Sequence, residues 1–356
     1  MFSRSTTRAA AALIAAGILT VLLPSAPCTA APEPSEPGAR PGVAAAPPGA
    51  VVAPDGSYIV RSRVDEDRHL EFTVYSVAMD SELTVEVQRP ADTSAPRPIL
   101  YLLNGGSGGI GIGTWDHQTR AEEFLADKGV NVVQPIGGAG SYYTDWRSPD
   151  PRLGVVKWKT YLTEELPPLM DAALGSNGVN AIAGVSMSGT SVLQLPIAKP
   201  GLYSAVAAYS GCARISDPIG QAFVRLTVGY SGSDAANMYG GSEDPHWATN
   251  DPYLNAEGLR GIELYLSSGN GLPGPYDKVG DRRMVGTGVG ALANQLLVGG
   301  IIEAATDQCT RSMGARLEEL GIAATVVLRP YGTHSWGYWD DELVASWPVL
   351  ARGLGV

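Results

Sequence analysis

Ser186 stands in Gly184-Val185-Ser186-Met187-Ser188-Gly189, directly after an apolar run and directly before a helix-forming segment. A serine on a sharp strand-to-helix turn is a nucleophile elbow, which needs small residues at 184 and 188 because backbone and side chains crowd there. A serine hydroxyl attacks poorly unless a base takes its proton. The chain has four histidines, His69, His117, His246 and His334. Only His334 follows the last strand-like run, in Gly332-Thr333-His334-Ser335-Trp336, where this strand order expects the base. Ser186 and His334 together predict nucleophilic acyl chemistry.

A third group must orient the imidazole. Asp277, Asp281, Glu303 and Asp307 all lie between the elbow and His334, and spacing alone leaves the four open. A tetrahedral intermediate also needs backbone donors. Met187 N–H, next to the nucleophile, is one, and Gly106 N–H, in the loop 102–115, is the other. The glycines of that loop run Gly109-Ile110-Gly111-Ile112-Gly113. They lack the strand–helix context and the distant ribose acid of a dinucleotide site, which excludes that reading.

Eight runs read as strands: 70–78, 83–89, 98–105, 130–138, 179–186, 203–211, 262–269 and 324–332. The first two alternate as in an antiparallel hairpin. The later ones are almost continuously apolar, as strands covered on both faces are. Helical patterns at 119–129, 158–174 and 311–321 lie between them. Such alternation predicts a three-layer α/β architecture, a mostly parallel sheet with helices on both faces. Residues 212–261 form a long insertion with few helical or strand signals. Its Tyr239 and Trp247, with Trp336, are candidate walls for a substrate, whereas Tyr142, Tyr143 and Trp146 read as structural.

The N-terminus reads separately. Arg4 and Arg8, the apolar run 9–23 and small residues up to Ala30 form a signal-peptide pattern over 1–30. Pro27 before Cys28 argues against a lipidation signal. Residues 31–57, rich in Pro and Ala, read as a linker, and 58–356 as one domain. With 36 acidic against 25 basic residues the net charge is −11, which argues against nucleic acid and for an exported soluble protein. Beyond Cys28 the only cysteines are Cys212 and Cys309, and an even pair in an oxidising compartment predicts a disulfide. No metal-ligand spacing is present, so neither metal nor cofactor is expected.

Seven segments in order add a resemblance: YLLNGG (101–106), TWDHQT (114–119), PIGGAGSYYTDW (135–146), KWKTYLTEELPPLM (157–170), GVSMSGTS (184–191), EDPHWATNDP (243–252) and GTHSWGYW (332–339). The chain resembles the secreted actinobacterial mycolyltransferases of the antigen 85 type and their corynebacterial relatives, over about residues 68–352. The resemblance implies an α/β-hydrolase fold of about eight strands and a Ser186–Glu303–His334 triad. Glu303 is chosen by the family's pattern, a glutamate at a helix start some thirty residues before the histidine. It also implies oxyanion donors at Gly106 and Met187 and sugar contacts at Ser335 and Trp336. Mycobacterial members carry an Asp and an Arg for trehalose where this chain has Asn104 and Ser107. Serine lacks the reach of a guanidinium. The implied partners are trehalose mycolates, sugar acceptors and the outer mycomembrane or cell-wall surface. The implied reaction moves a mycolyl group from trehalose monomycolate to trehalose or arabinogalactan. A plain esterase on the same triad, or an envelope protein without catalysis, are the alternatives.

Overall fold

A computed structural model describes residues 46–66 and 68–356. The expected signal peptide and the first part of the expected linker lie outside the described residues. Among the described residues nine strands form one sheet: β1 (Tyr58–Glu66), β2 (His69–Ser76), β3 (Ser81–Gln88), β4 (Ile99–Leu103), β5 (Asn131–Ile136), β6 (Asn180–Val185), β7 (Ala205–Tyr209), β8 (Glu263–Ser268) and β9 (Thr325–Leu328). Their spatial order is β1-β2-β3-β5-β4-β6-β7-β8-β9. Pairings from β1 to β5 through β3 are antiparallel, and those from β5 through β4 to β9 are parallel.

All eight expected strands are present, and the ninth is β1. Its sequence, Tyr-Ile-Val-Arg-Ser-Arg-Val-Asp-Glu, carries charges because it is an edge strand with one flank in solvent, with Arg61, Arg63 and Val64 exposed. One expectation is corrected. The linker expected over 31–57 ends earlier, because Ile59 N–H bonds Val51 C=O at 3.0 Å and Ala53 N–H bonds Ser57 C=O at 2.7 Å. Ala53 and Ser57 are buried against the sheet, so the last residues of that Pro/Ala-rich stretch belong to the fold.

The helices are α1 (Trp115–Gln118), α2 (Ala121–Leu125), α3 (Trp158–Thr160), α4 (Leu166–Leu174), α5 (Met187–Ala198), α6 (Pro218–Tyr230), α7 (Ala235–Tyr239), α8 (Pro245–Thr249), α9 (Gly288–Asn294), α10 (Gly300–Glu319) and α11 (Trp336–Leu354). A π turn, Tyr161–Glu165, joins α3 to α4, and another, Gln295–Gly299, joins α9 to α10. Alternate strand residues feed two cores. Tyr101, Leu103, Ile182 and Val206 pack with α4, α5 and the Met313 and Leu317 side of α10. Leu100, Leu102, Ala181, Ala183 and Ala207 pack with α1, α2 and α11. β4, β6 and β7 are buried on both faces, each large apolar side chain contributing about 1.5–3 kcal/mol. These are the three layers of an α/β-hydrolase fold.

The parallel register brings the site together. Val185 of β6 pairs with Tyr209 of β7, which pairs with Ser267 of β8. The residues that follow, Ser186, Ser210 and Ser268, therefore stand side by side at the C-terminal edge of the sheet, where α/β folds bind ligands. The disulfide Cys212–Cys309 ties the loop after β7 to α10 across 97 residues of sequence, as expected. Chain entropy alone gives about 4.7 kcal/mol for a loop of roughly 100 residues, and loss of a native disulfide typically costs about 2–5 kcal/mol. Reduction, or replacement of both cysteines by alanine, is therefore expected to lower the unfolding free energy by that amount in a denaturant titration; an unchanged midpoint and slope would refute it.

Candidate active site

The turn after β6 gives Ser186 its position. Ser186 sits at φ +55°, ψ −120°, a strained conformation for a non-glycine residue. Its N–H bonds Tyr209 C=O at 2.9 Å, which holds it there. Ser188 Oγ accepts from Val185 N–H at 2.9 Å and lies 3.2 Å from Leu103 C=O. A Cβ on Gly184 would stand 2.6 Å from that oxygen, so the hydroxyl four residues further on excludes any side chain at 184. Gly189 and Gly211 are a second close approach: a Cβ on Gly211 would come within 2.4 Å of the Gly189 carbonyl carbon.

His334, on the loop between β9 and α11, points one nitrogen at each neighbour. Nε2 is 2.7 Å from Ser186 Oγ, and Nδ1 is 2.7 Å from Glu303 Oε2. With Glu303 ionised, Nδ1 carries the proton and Nε2 is left as acceptor, the state a general base requires. His334 N–H also bonds Gly299 C=O at 3.2 Å, in the π turn that leads into α10. The Trp339 ring meets the imidazole edge-on at 4.9 Å.

Glu303 is fully buried at the start of α10, midway along the continuous helix that α9, the π turn and α10 form. Its Oε1 accepts from Gly269 N–H at 2.6 Å, Ser210 Oγ at 2.8 Å and Ser268 Oγ at 3.2 Å. Ser210 Oγ in turn accepts from Trp339 Nε1 at 2.9 Å. Arg329 Nη2 lies 4.0 Å from Glu303 Oε1, while its Nη1 pairs with Glu342 at 2.9 Å. A buried carboxyl group fixed by this many donors holds the imidazole in one orientation.

The other acids that spacing left open do different work. Asp277 accepts from Tyr338 Oη, Thr333 Oγ1, Gln295 Nε2 and Gly274 N–H, and clamps three loops together. Asp281 caps its own turn through Arg283 N–H, and Asp307 pairs with Arg311 on the outer face of α10. None of these bonds reaches His334.

Gly106 is exposed, and its N–H makes no hydrogen bond among the described residues. Met187 is the first residue of α5, so its N–H has no acceptor within the helix. Met187 follows the nucleophile directly, and Gly105, the neighbour of Gly106, lies against it, a Cβ there standing 3.5 Å from Ser186 Cβ. Tyr142 N–H points at Met187 Sδ at 3.3 Å, and Ser191 Oγ donates to Tyr142 C=O at 2.6 Å, which ties the 140s loop to the elbow. A cavity of about 50 Å³ opens beside Ser186 and His334, lined by Tyr142, Thr190, Phe223, Thr227, Ile302 and the disulfide. Burial pushes the Tyr142 phenol up to about 12, so it stays neutral there.

Four expectations for substrate contacts fare differently. Asn104 is fully buried, with Oδ1 accepting from Trp115 N–H at 3.1 Å, and is thus a loop support. Its Nδ2 has no hydrogen-bond partner among the described residues. Ser107 Oγ donates to Gly113 C=O at 3.1 Å and so closes its own loop, with its side chain partly exposed. Ser335 is the N-cap residue of α11 and is buried, 3.5 Å from Thr333 Oγ1. Trp336 packs edge-on against Trp115 at 5.4 Å and Trp339 at 5.0 Å, with only its rim reaching the loop at Gly113. Tyr239 and Trp247 meet edge to face at 5.0 Å inside the core and do not line the cavity, whereas Tyr142 does. Ser210, Ser268 and Trp339 were not singled out in the sequence. The signal was there for the first two, since β7 and β8 both end in Ser followed by Gly at the edge where a site forms.

Known proteins are similar to this chain over most of its length. The Esterase family model matches residues 76–350. Diacylglycerol acyltransferase/mycolyltransferase Ag85A of Mycobacterium leprae is 32% identical over 290 residues, 79% of this chain and 82% of the relative. The chain belongs to the antigen 85 mycolyltransferase family. Ag85B of Mycobacterium avium is 30% identical over 294 residues, again 79% of this chain and 82% of its own length. Among solved structures, Mycobacterium tuberculosis MPT51 superposes with a TM-score of 0.65 at 22% identity, covering 79% of this chain and 97% of that one. An S-formylglutathione hydrolase from Agrobacterium tumefaciens gives 0.60 at 16% identity, covering 83% and 99%. At those identities the two structures speak for the fold. The relatives named for acyl transfer speak for a mycolyltransferase-like enzyme.

Proposed function

We propose that this mycolyltransferase-family member transfers a long-chain acyl group, a mycolyl group, from trehalose monomycolate through an ester on Ser186 to trehalose or an arabinogalactan hydroxyl outside the cell. The observation that carries the reading is the unbroken relay Ser186–His334–Glu303, with 2.7 Å at each link. His334 Nε2 takes the Ser186 proton as Oγ bonds to the donor's ester carbonyl carbon. The carbonyl oxygen becomes an oxyanion facing the Gly106 and Met187 N–H groups, each such donor contributing about 3–4 kcal/mol to the transition state. The intermediate collapses, the bond to the trehalose oxygen breaks, and that oxygen leaves with the proton from His334. The acceptor hydroxyl then gives its proton to His334, attacks the acyl-serine, and Ser186 leaves protonated. Glu303 holds the imidazolium throughout.

One observation favours a second reading, hydrolysis on the same triad. With Asn104 buried and Ser107 turned to Gly113, the loop offers no guanidinium to an incoming sugar. The two readings separate in one assay, in which the protein is given an acylated trehalose donor with and without isotopically labelled trehalose. Labelled acyl-trehalose is the expected product. Free acid alone, at every trehalose concentration and with arabinogalactan fragments added, would remove the transferase reading and leave the esterase.

A further inference from the structure

We infer that the rim around Ser186 is a docking face for a lipid surface. From Met284 to Ile302 no residue carries a charge, and the run ends at Glu303. Within it Val289, Leu297 and Ile301 are 73%, 68% and 70% exposed, while Gln295 and Gly299 face inward. The exposed positions recur at multiples of four, so α9, its π turn and the start of α10 present an apolar stripe outward. A surface helix normally does the reverse. Charge returns to the exposed face of α10 only beyond Glu303, in pairs such as Asp307–Arg311. The segment therefore lies along a surface; the buried, hydrogen-bonded Glu303 at its end is no part of a membrane crossing.

A second stripe faces it. On α6, Val224 and Val228 point into the core, yet Ile219, Leu226 and Tyr230 are 70%, 67% and 97% exposed. The only charged side chain of that helix, Arg225, lies over the Trp247 ring at 5.2 Å. The loop 105–113 adds Ile110 and Ile112, and a Cβ added at Gly113 would stand 3.7 Å from both Val285 and Trp336. These three segments meet at the site. Phe223 and Thr227 of α6 and Ile302 of α10 line the cavity beside Ser186, and Gly299 holds the His334 backbone.

The occupant follows from what the ring surrounds. A cavity of about 50 Å³ has room for only a few water molecules. A long acyl chain esterified at Ser186 must therefore run out over the apolar rim. A protein partner sealing the ring would cover the nucleophile, whereas a lipid layer covers the rim and supplies the donor. This step rests on the acyl-transfer reading above. With a net charge of −11 and an uncharged face, the layer that suits it is neutral, and attachment should be insensitive to salt.

The test uses flotation with vesicles of phosphatidylcholine containing a diacylated trehalose. The Ser186→Ala protein, which cannot turn over, is expected to float with the vesicles at low and high salt. The added triple change Leu226→Ser, Val289→Ser and Leu297→Ser should lower partitioning about tenfold or more, while the same positions changed to Met retain it. With Ser186 restored, the triple serine variant should hydrolyse a monomeric short-chain ester as wild type does. Its turnover of a vesicle-borne donor should fall about tenfold. Flotation equal in both forms, or absent in the parent, overturns the docking face and leaves the acyl-transfer reading untouched. A parent that dimerises by light scattering, does not float, and becomes monomeric in the triple serine variant would make the patch a contact between copies and overturns it too. Flotation without turnover of either ester keeps the docking face and removes the chemistry.

Discussion

Ser186→Ala is expected to lower turnover of any ester substrate by about 10⁴- to 10⁶-fold, with binding of the acyl donor little changed. The change removes one oxygen and little else. The Ser186 N–H bond to Tyr209 C=O is a backbone contact and survives, and alanine at φ +55° carries the strain serine already carries. The proposed oxyanion donors, Met187 and Gly106 N–H, are backbone groups that the change leaves in place, so a small residual rate is expected. Labelling by a fluorophosphonate should vanish with the hydroxyl. A variant that keeps more than about a hundredth of the activity would mean that another group is the nucleophile.

Glu303→Gln is expected to lower kcat by about 10³- to 10⁴-fold, with a smaller change in KM. The carboxylate accepts at both oxygens: three donors converge on Oε1, and His334 with Thr306 flanks Oε2. A glutamine has one acceptor oxygen and one NH₂. If the oxygen stays with Gly269, Ser210 and Ser268, the amide faces Nδ1 as a donor and forces the proton onto Nε2. His334 is then in the wrong tautomer to receive a proton from Ser186. If the amide turns inward, it meets three donors in a fully buried site, which destabilises the fold by about 1–3 kcal/mol. Kinetics and a denaturant titration on the same variant distinguish the outcomes. A loss of stability with unchanged kcat in the folded fraction would contradict a role for Glu303 at the imidazole.

The sheet was legible because burial on both faces writes itself as continuous apolar runs, and β4, β6, β7 and β8 are such runs. β1 was missed for the complementary reason: an edge strand with charged residues does not announce itself by hydropathy. Ser186 and His334 could be read from local order alone, since a turn and a terminal loop define them. Glu303 could not, because Asp277 sits in an equally plausible loop and only the three-dimensional register brings α10 over Ser210 and Ser268. The same register explains why those two serines escaped notice. Asn104 and Trp336 were read by correspondence with relatives; local sequence did not show that Asn104 Oδ1 accepts from Trp115 N–H or that Trp336 packs with Trp115 and Trp339. The apolar stripe of α9 and α10 was hidden because an apolar helix reads as core until exposure is known.

The central claim is that Ser186 carries the acyl group in transit. Rapid quenching of the protein with an acylated trehalose donor, followed by intact-mass measurement and peptide mapping, tests it most directly. The account predicts an increment equal to the acyl group on the peptide containing Ser186, drained when trehalose is added and absent in Ser186→Ala. An increment on any other residue, or product formation by the Ser186→Ala protein, would contradict it.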